Sequence, residues 1–244
     1  MNFDFLISIF FPPQCLRCAK GLARGALCDE CRGEVPLAHS FFCGACRRPL
    51  AKSTSPGTAP PKDFDLLAGR SSCHPDFPYL LGAASRYHER TVTSLVRALK
   101  FHRVKAAAEP LASFIIQYLS SLDEDISGHL LIPIPLSKKR LRERGFNQAD
   151  LIAREIAGHH HLPLDPAALA RVKHSPPQSE ASSLAERVAQ LRGCFMVSDP
   201  RTIEGRHILL IDDVVTSGAT FLEASRALRG AGAASVTAVA VAQG

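Results

Sequence analysis

From Tyr79 onward, short unbroken aliphatic runs alternate with longer stretches whose apolar residues fall at helical spacing. Residues 80–87, 129–134, 207–213 and 235–242 read as strands. Residues 89–101 place Val92, Leu95, Val96 and Leu99 along one helical face. A second helix starts near Pro110 and ends at about Leu122. Residues 147–158 carry Leu151, Ile152 and Ile156 on an apolar side, and residues 218–228 form a helix stopped by Gly230 and Gly232. Aliphatic runs without polar interruption suit strands buried on both faces of a parallel sheet, and the helices suit its crossovers. The pattern predicts an α/β domain over residues 77–244.

Residues 1–76 read differently. The apolar stretch 3–11 is interrupted by Asp4 and stopped by Pro12 and Pro13. It reads as a short docking helix, with membrane-surface contact as the alternative. It falls well short of the ~20 residues that span a bilayer, and it lacks a basic leader and a small-residue cleavage site. Residues 52–62, rich in Pro, Ser and Gly, read as a flexible loop.

Seven of the eight cysteines lie in the first 73 residues, and six of them form three Cys-x-x-Cys pairs. Such a pair turns two thiolates toward one metal, and two pairs complete a tetrahedral zinc site. Cys15, Cys18, Cys28 and Cys31 are expected to hold one structural zinc. Cys43 and Cys46 need partners for a second. Cys73 offers a third thiolate, and His74 or His39 a fourth ligand, unless that site is degenerate and empty. Repetition of the pairs in a loop-rich stretch disfavours a redox role. Nothing directs the chain to export, so a reducing cytoplasm is expected and a disulfide framework is not.

Composition narrows the partners. The chain has 244 residues, 46% of them hydrophobic, enough for one full domain and a smaller module. It has no tryptophan and three tyrosines, which argues against an aromatic platform for stacking bases. A net charge of +6 with clustered cations points to an anionic partner, either a phosphorylated metabolite or nucleic acid. Residues 138–144 hold Lys138, Lys139, Arg140, Arg142 and Arg144 against Glu143 alone. This run reads either as a solvated basic helix or as a phosphate or nucleic-acid contact. His159, His160 and His161 read as a solvated helix end, and Cys194 as a small buried hydrophobe.

Residues 208–220 read Ile-Leu-Leu-Ile-Asp-Asp-Val-Val-Thr-Ser-Gly-Ala-Thr. A buried strand leads into two carboxylates, then into a turn of small hydroxyl residues with one glycine that opens a helix. In open α/β sheets ligands bind beyond the strands' carboxyl ends, where helix N-termini attract anions. Acids suit ribose hydroxyls or a metal, and small residues let N–H groups close around a phosphate. The arrangement describes a pocket for a phosphorylated sugar.

This stretch resembles the phosphoribosyl-pyrophosphate (PRPP) motif of type I phosphoribosyltransferases. The resemblance implies that Asp212 and Asp213 hold the ribose hydroxyls, and that Thr216, Ser217, Gly218, Ala219 and Thr220 cradle the 5′-phosphate. It further implies that Pro135, Lys138 and Lys139, after a strand's carboxyl end, serve the pyrophosphate. Residues 171–192, with Lys173, His174, Pro176, Pro177, Gln178 and Arg187, stand where that family has its catalytic loop; an ordinary exposed connection is the alternative. Thr216 stands where hypoxanthine-guanine enzymes carry an acid, which argues against a 6-oxopurine acceptor.

The order of features along the chain is similar to that of the ComF family of competence-associated proteins. These features are the apolar lead ending in Phe-Pro-Pro, the knuckles, Leu99-Lys100-Phe101, Pro133-Ile-Pro135-Leu136, Arg144-Gly-Phe-Asn-Gln148, Pro177-Gln178 and the PRPP motif. The resemblance implies a type I phosphoribosyltransferase-like parallel sheet behind a small N-terminal zinc ribbon, and a link to DNA uptake. It departs at Arg70, where a cysteine is expected, and at Gln190, where an asparagine is common. The implied activity is phosphoribosyl transfer from Mg-bound PRPP to a nitrogen acceptor with release of pyrophosphate. The alternative is a non-catalytic PRPP-sensing or single-stranded-DNA-binding adaptor, with a DNA-uptake helicase as a further partner.

Overall fold

The computed structural model describes residues 13–50, 74, 76–122, 125–172 and 191–244. The readings of residues 3–11, residues 52–62, Arg70 and Cys73 fall outside the described residues, as do those from Lys173 to Gln190. In chain order the elements begin with α1 (Asp29–Gly33), β1 (Phe42–Cys43), β2 (Leu80–Arg86), α2 (Arg90–Phe101), α3 (Ala108–Ser121) and β3 (Leu130–Pro133). They continue with α4 (Lys138–Arg144), α5 (Gln148–His160), β4 (Leu169–Arg171), β5 (Phe195–Val197), β6 (His207–Val215), α6 (Ala219–Gly230) and β7 (Ser235–Gln243).

The main sheet has the order β1-β2-β7-β6-β3. Strands β2, β7, β6 and β3 are mutually parallel, and β1 adds an antiparallel edge to β2. Helices cover both faces, so Ile208, Leu209, Leu210 and Ile211 of β6 are all fully buried. On one face α2, α3 and α5 pack against Leu131, Leu209, Ile211, Val239 and Val241. On the other, α6 and the β4–β5 pair pack against Ile132, Ile208, Leu210, Ala238 and Ala240. The expected stripe of α2 is sealed in the first layer, and each such aliphatic side chain contributes roughly 1.5–3 kcal/mol by leaving water.

Two details differ from the sequence reading, and a third gives one of its alternatives a definite form. Strand β6 runs on to Val215, because β7 continues beside it and Val215 pairs with Gln243. Residues 138–144 are helical, as one reading of the basic run had it, in a separate helix capped by the Ser137 hydroxyl at its start and by left-handed Gly145 at its end. Strands β4 and β5 were not expected, since three residues are too few to carry a period. They pair Arg171 with Phe195 across the connection between them.

The cysteine-rich segment is joined to this core. Phe42 pairs with Leu81, the Ala38 N–H donates to the Ala84 carbonyl at 2.8 Å, and the Tyr118 hydroxyl donates to the Ser40 carbonyl at 2.8 Å. Leu27, Val35 and Phe41 lie in the same apolar layer as α2 and α3. Among the described residues no helix is long and apolar enough to cross a membrane. His159 and His161 are exposed at the end of α5, and Cys194 is buried, as expected of each, whereas His160 is half-buried with its Nε2 out of water.

Candidate functional site

The site is built around the carboxyl end of β6. Successive strand residues face opposite sides, so Asp213 follows Leu209 and Ile211 toward α2 while Asp212 follows Ile208 and Leu210 to the other face. Lys100, in the last turn of α2, places Nζ 2.8 Å from Asp213 Oδ1. The Asp213 N–H donates to Asp212 Oδ1 at 2.8 Å. Burial, reinforced by the Asp213 charge, pushes the Asp212 carboxyl up to about 7. Lys100, the Asp213 N–H and Arg144 pull the other way.

Three residues beyond β6 the chain turns through Gly218, at φ 79°, and enters α6. The left-handed turn suits glycine and leaves the first N–H groups of α6 without helical partners. Asp212 and residues 214–221 line a hollow of ≈ 50 Å³ there. A larger hollow of ≈ 810 Å³ lies elsewhere, between residues 20–32 and the start of α3; its walls mix Lys20, Arg24, Glu30 and Glu109 and gather no single chemistry.

Cations surround the acids from a third side. Burial pulls the Arg144 guanidinium below its ordinary value, with Asp213 and Asp212 opposing and Arg140 adding to the shift. Burial acts likewise on Arg171 at the end of β4, with Cys194 and Asp212 opposing and Arg140 adding. Arg144 and Arg171 therefore each feel the Asp212 charge, and exposed Arg140 lies near enough to act on both guanidiniums. Arg144 is steadied by Gln148, whose Oε1 accepts at 2.8 Å. Asn147 fixes the junction: its Oδ1 accepts from the Ala149 N–H at 3.2 Å and its Nδ2 donates to the Ile134 carbonyl at 3.0 Å. Pro135 is half-buried just past β3. Lys138 and Lys139 lie exposed on α4, where Lys139 approaches Glu143 at 4.0 Å.

The cysteines gather into two clusters. The sulfurs of Cys15, Cys18, Cys28 and Cys31 all lie within 4.8 Å of one another, and Cys18 and Cys28 are 3.8 Å apart. Thiolates about 2.3 Å from a tetrahedral zinc are about 3.8 Å from each other, so the set fits that ion. Burial raises the Cys15 thiol, but N–H groups of Cys28, Cys18 and Arg17 outweigh it and bring the thiol to about 6. The second cluster joins Cys43, Cys46 and His74, with Cys43 Sγ 3.4 Å from His74 Nδ1. Of the two histidines considered for it, His74 is the one brought in.

The structure thus brings Asp212 to residues 214–221 and pairs Asp213 with Lys100; it gathers Cys15, Cys18, Cys28 and Cys31 into one cluster and Cys43 and Cys46 with His74 into another, while Cys73 lies outside the described residues. Lys100 and Arg171 were missed as site residues. Lys100 carried a signal, since it sits in the Leu99-Lys100-Phe101 stretch already singled out, but nothing local ties it to Asp213. Arg171 had none beyond its place at the start of a long connection.

Comparison with known proteins agrees with both halves. A phosphoribosyl transferase domain model matches residues 141–244, and a double zinc ribbon domain model matches residues 6–60. The DNA utilization protein YhgH of Salmonella typhimurium is 30% identical over 216 residues, covering 86% of this chain and 93% of that protein. Competence protein ComFC of Bacillus subtilis is 29% identical over 209 residues, covering 83% and 77%. Competence protein F of Haemophilus influenzae is 25% identical over 213 residues, covering 83% and 90%.

Proposed function

This chain belongs to the ComF family of competence-associated proteins, and on that premise we propose that it binds PRPP and serves DNA uptake. The reading rests on one arrangement: a carboxylate pair and a glycine turn at the end of one strand, with the guanidiniums of Arg144 and Arg171 within the influence of Asp212. Asp212 and Asp213 take the ribose hydroxyls, and N–H groups of residues 216–220 take the 5′-phosphate. Arg140, Arg144 and Arg171, with Pro135, Lys138 and Lys139, receive the pyrophosphate. Mg²⁺ arrives with PRPP, held mainly by the ligand's own oxygens.

With a nitrogen acceptor the reaction is a displacement at C1′. The C1′–O bond breaks and pyrophosphate leaves with its electron pair; the acceptor's lone pair forms the N–C1′ bond and the nitrogen then loses a proton. Charge develops on the ribose ring and on the leaving group, so fixed carboxylates and guanidiniums supply the stabilisation without a covalent nucleophile. Calorimetry with PRPP and Mg²⁺ on wild type and on Asp212→Asn/Asp213→Asn tests the reading. Binding should be seen for the wild type and lost in the double variant; a wild type without affinity overturns it.

The exposure of Lys138, Lys139, Arg140 and Arg142 on α4 favours a second reading, a non-catalytic adaptor that contacts single-stranded DNA. PRPP binding without pyrophosphate release across a panel of bases would favour it.

A further inference from the structure

Arg47 follows directly on the second cysteine knuckle, yet its side chain lies against the phosphate loop, 169 residues away along the chain. Its N–H closes the knuckle by donating to the Cys43 carbonyl at 2.9 Å. Its backbone takes φ 61°, a conformation glycine would adopt without strain. Nη2 donates to the Thr216 carbonyl at 3.3 Å. The Tyr79 hydroxyl donates to the Gly218 carbonyl at 3.4 Å. A Cβ on Gly218 would stand 2.5 Å from Arg47 Nη2 and 2.8 Å from the Tyr79 hydroxyl, so the knuckle and β2 close tightly on the loop. Gly44 permits the approach, because a Cβ there would meet Phe77 at 2.6 Å and the Tyr79 carbonyl at 2.7 Å. Arg47 Nη1 is buried without a hydrogen-bond partner among the described residues.

In a trans peptide the carbonyl of one residue and the N–H of the next point in opposite directions. Holding the Thr216 carbonyl from the knuckle side therefore turns the Ser217 N–H away from the knuckle, and Tyr79 does the same for the Ala219 N–H, which meets the Ser217 hydroxyl at a long 3.4 Å. These are N–H groups that an anion at the start of α6 would meet. We propose that Arg47 is a positioning residue for the phosphate end of the site, carried there by the second metal knuckle. The ligand class is a sugar 5-phosphate, so the proposal rests on the PRPP reading above. It also couples the Cys43–Cys46–His74 cluster to sugar-phosphate affinity, since that knuckle sets where the guanidinium stands.

The test is calorimetry on the full-length zinc-loaded protein, with ribose 5-phosphate as the probe of this end and pyrophosphate as the probe of the other. Arg47→Gly removes the guanidinium while relaxing the backbone. It should keep its zinc content and melting temperature, lose roughly tenfold in ribose 5-phosphate affinity and leave pyrophosphate affinity unchanged. Arg47→Lys should fall between. Cys46→Ser should lose about as much, and Arg47→Gly/Cys46→Ser no more than either alone. Equal ribose 5-phosphate affinity in Arg47→Gly and wild type overturns the proposal. So does a loss shared equally by pyrophosphate, or one accompanied by loss of zinc. A wild type that takes up neither ligand overturns the PRPP reading, and this proposal with it.

Discussion

Lys100 Nζ meets Asp213 Oδ1 at 2.8 Å, with the two side chains 20% and 8% exposed. Neither group reaches bulk water freely, so each depends on the other. Removing one member of a buried pair leaves an uncompensated charge and costs about 3–5 kcal/mol, whereas removing both is much cheaper. Lys100→Met should therefore lower the denaturant midpoint strongly, and Lys100→Met/Asp213→Asn should recover most of the loss. A double variant as unstable as Lys100→Met would mean that Lys100 acts through packing.

Asp212 gives a pH signature of opposite sign to the usual carboxylate. Its folded-state value lies near 7, above that of an unfolded chain, so the folded protein holds this proton more tightly. Stability from this group is complete below the unfolded value near 4, falls as pH rises toward 7, and then levels off. Asp212→Asn keeps an acceptor for the Asp213 N–H and cannot ionise. Its stability advantage over wild type should be near zero at pH 4 and grow to at most about 4 kcal/mol above pH 7. Thermal melts of both proteins across that range check it; an advantage that is flat with pH would remove Asp212 as the titrating group. Holding an ionisable acid here at the expense of stability is what a binding site does.

The predicted strands and helices of the α/β domain were legible because each carries its own period. Val92, Leu95, Val96 and Leu99 announce α2 without knowledge of what covers them. The turn from β6 into α6 was legible because its strand, acids, small residues and glycine are contiguous in the chain. Lys100 and Arg47 were not, since each acquires its role only when the sheet order brings β6 beside distant elements. Strands β4 and β5 escaped for another reason: their stability comes from Phe195 and Leu169 packing under α6, a tertiary contact without a local signal.

The first cysteine cluster should hold zinc as part of the fold. Cys15, Cys28 and Cys31 are buried, and Leu27 and Val35 beside them share the layer that covers α2 and α3. Without an ion, burial and the neighbouring sulfurs push the Cys31 thiol up and keep its proton on, so taking up a metal releases protons and links metal binding to folding of the segment. Elemental analysis should give at least one zinc per chain. Cys31→Ser should lose that ion and lower the melting temperature, and a strong chelator should do the same to wild type. Less than one zinc per purified chain would remove this cluster as a metal site.

Helix α4 presents Lys138, Lys139, Arg140 and Arg142 to solvent, so anion contact there would cost little reorganisation. If it meets single-stranded DNA, the affinity is mainly counterion release and should fall steeply with salt. Each phosphate contact contributes about 0.7 to the log–log slope, so neutralising Lys138, Lys139 and Arg140 should flatten that slope by about 2. Fluorescence anisotropy of a labelled oligonucleotide at several salt concentrations measures it. Arg140 also acts on Arg144 and Arg171, the guanidiniums that feel the Asp212 charge, which carries a second consequence. PRPP with Mg²⁺ should compete with the oligonucleotide in the wild type, because both draw on the same cations. An unchanged slope in the triple variant would assign the DNA contact to another face, and binding of both ligands without competition would separate α4 from the sugar-phosphate site.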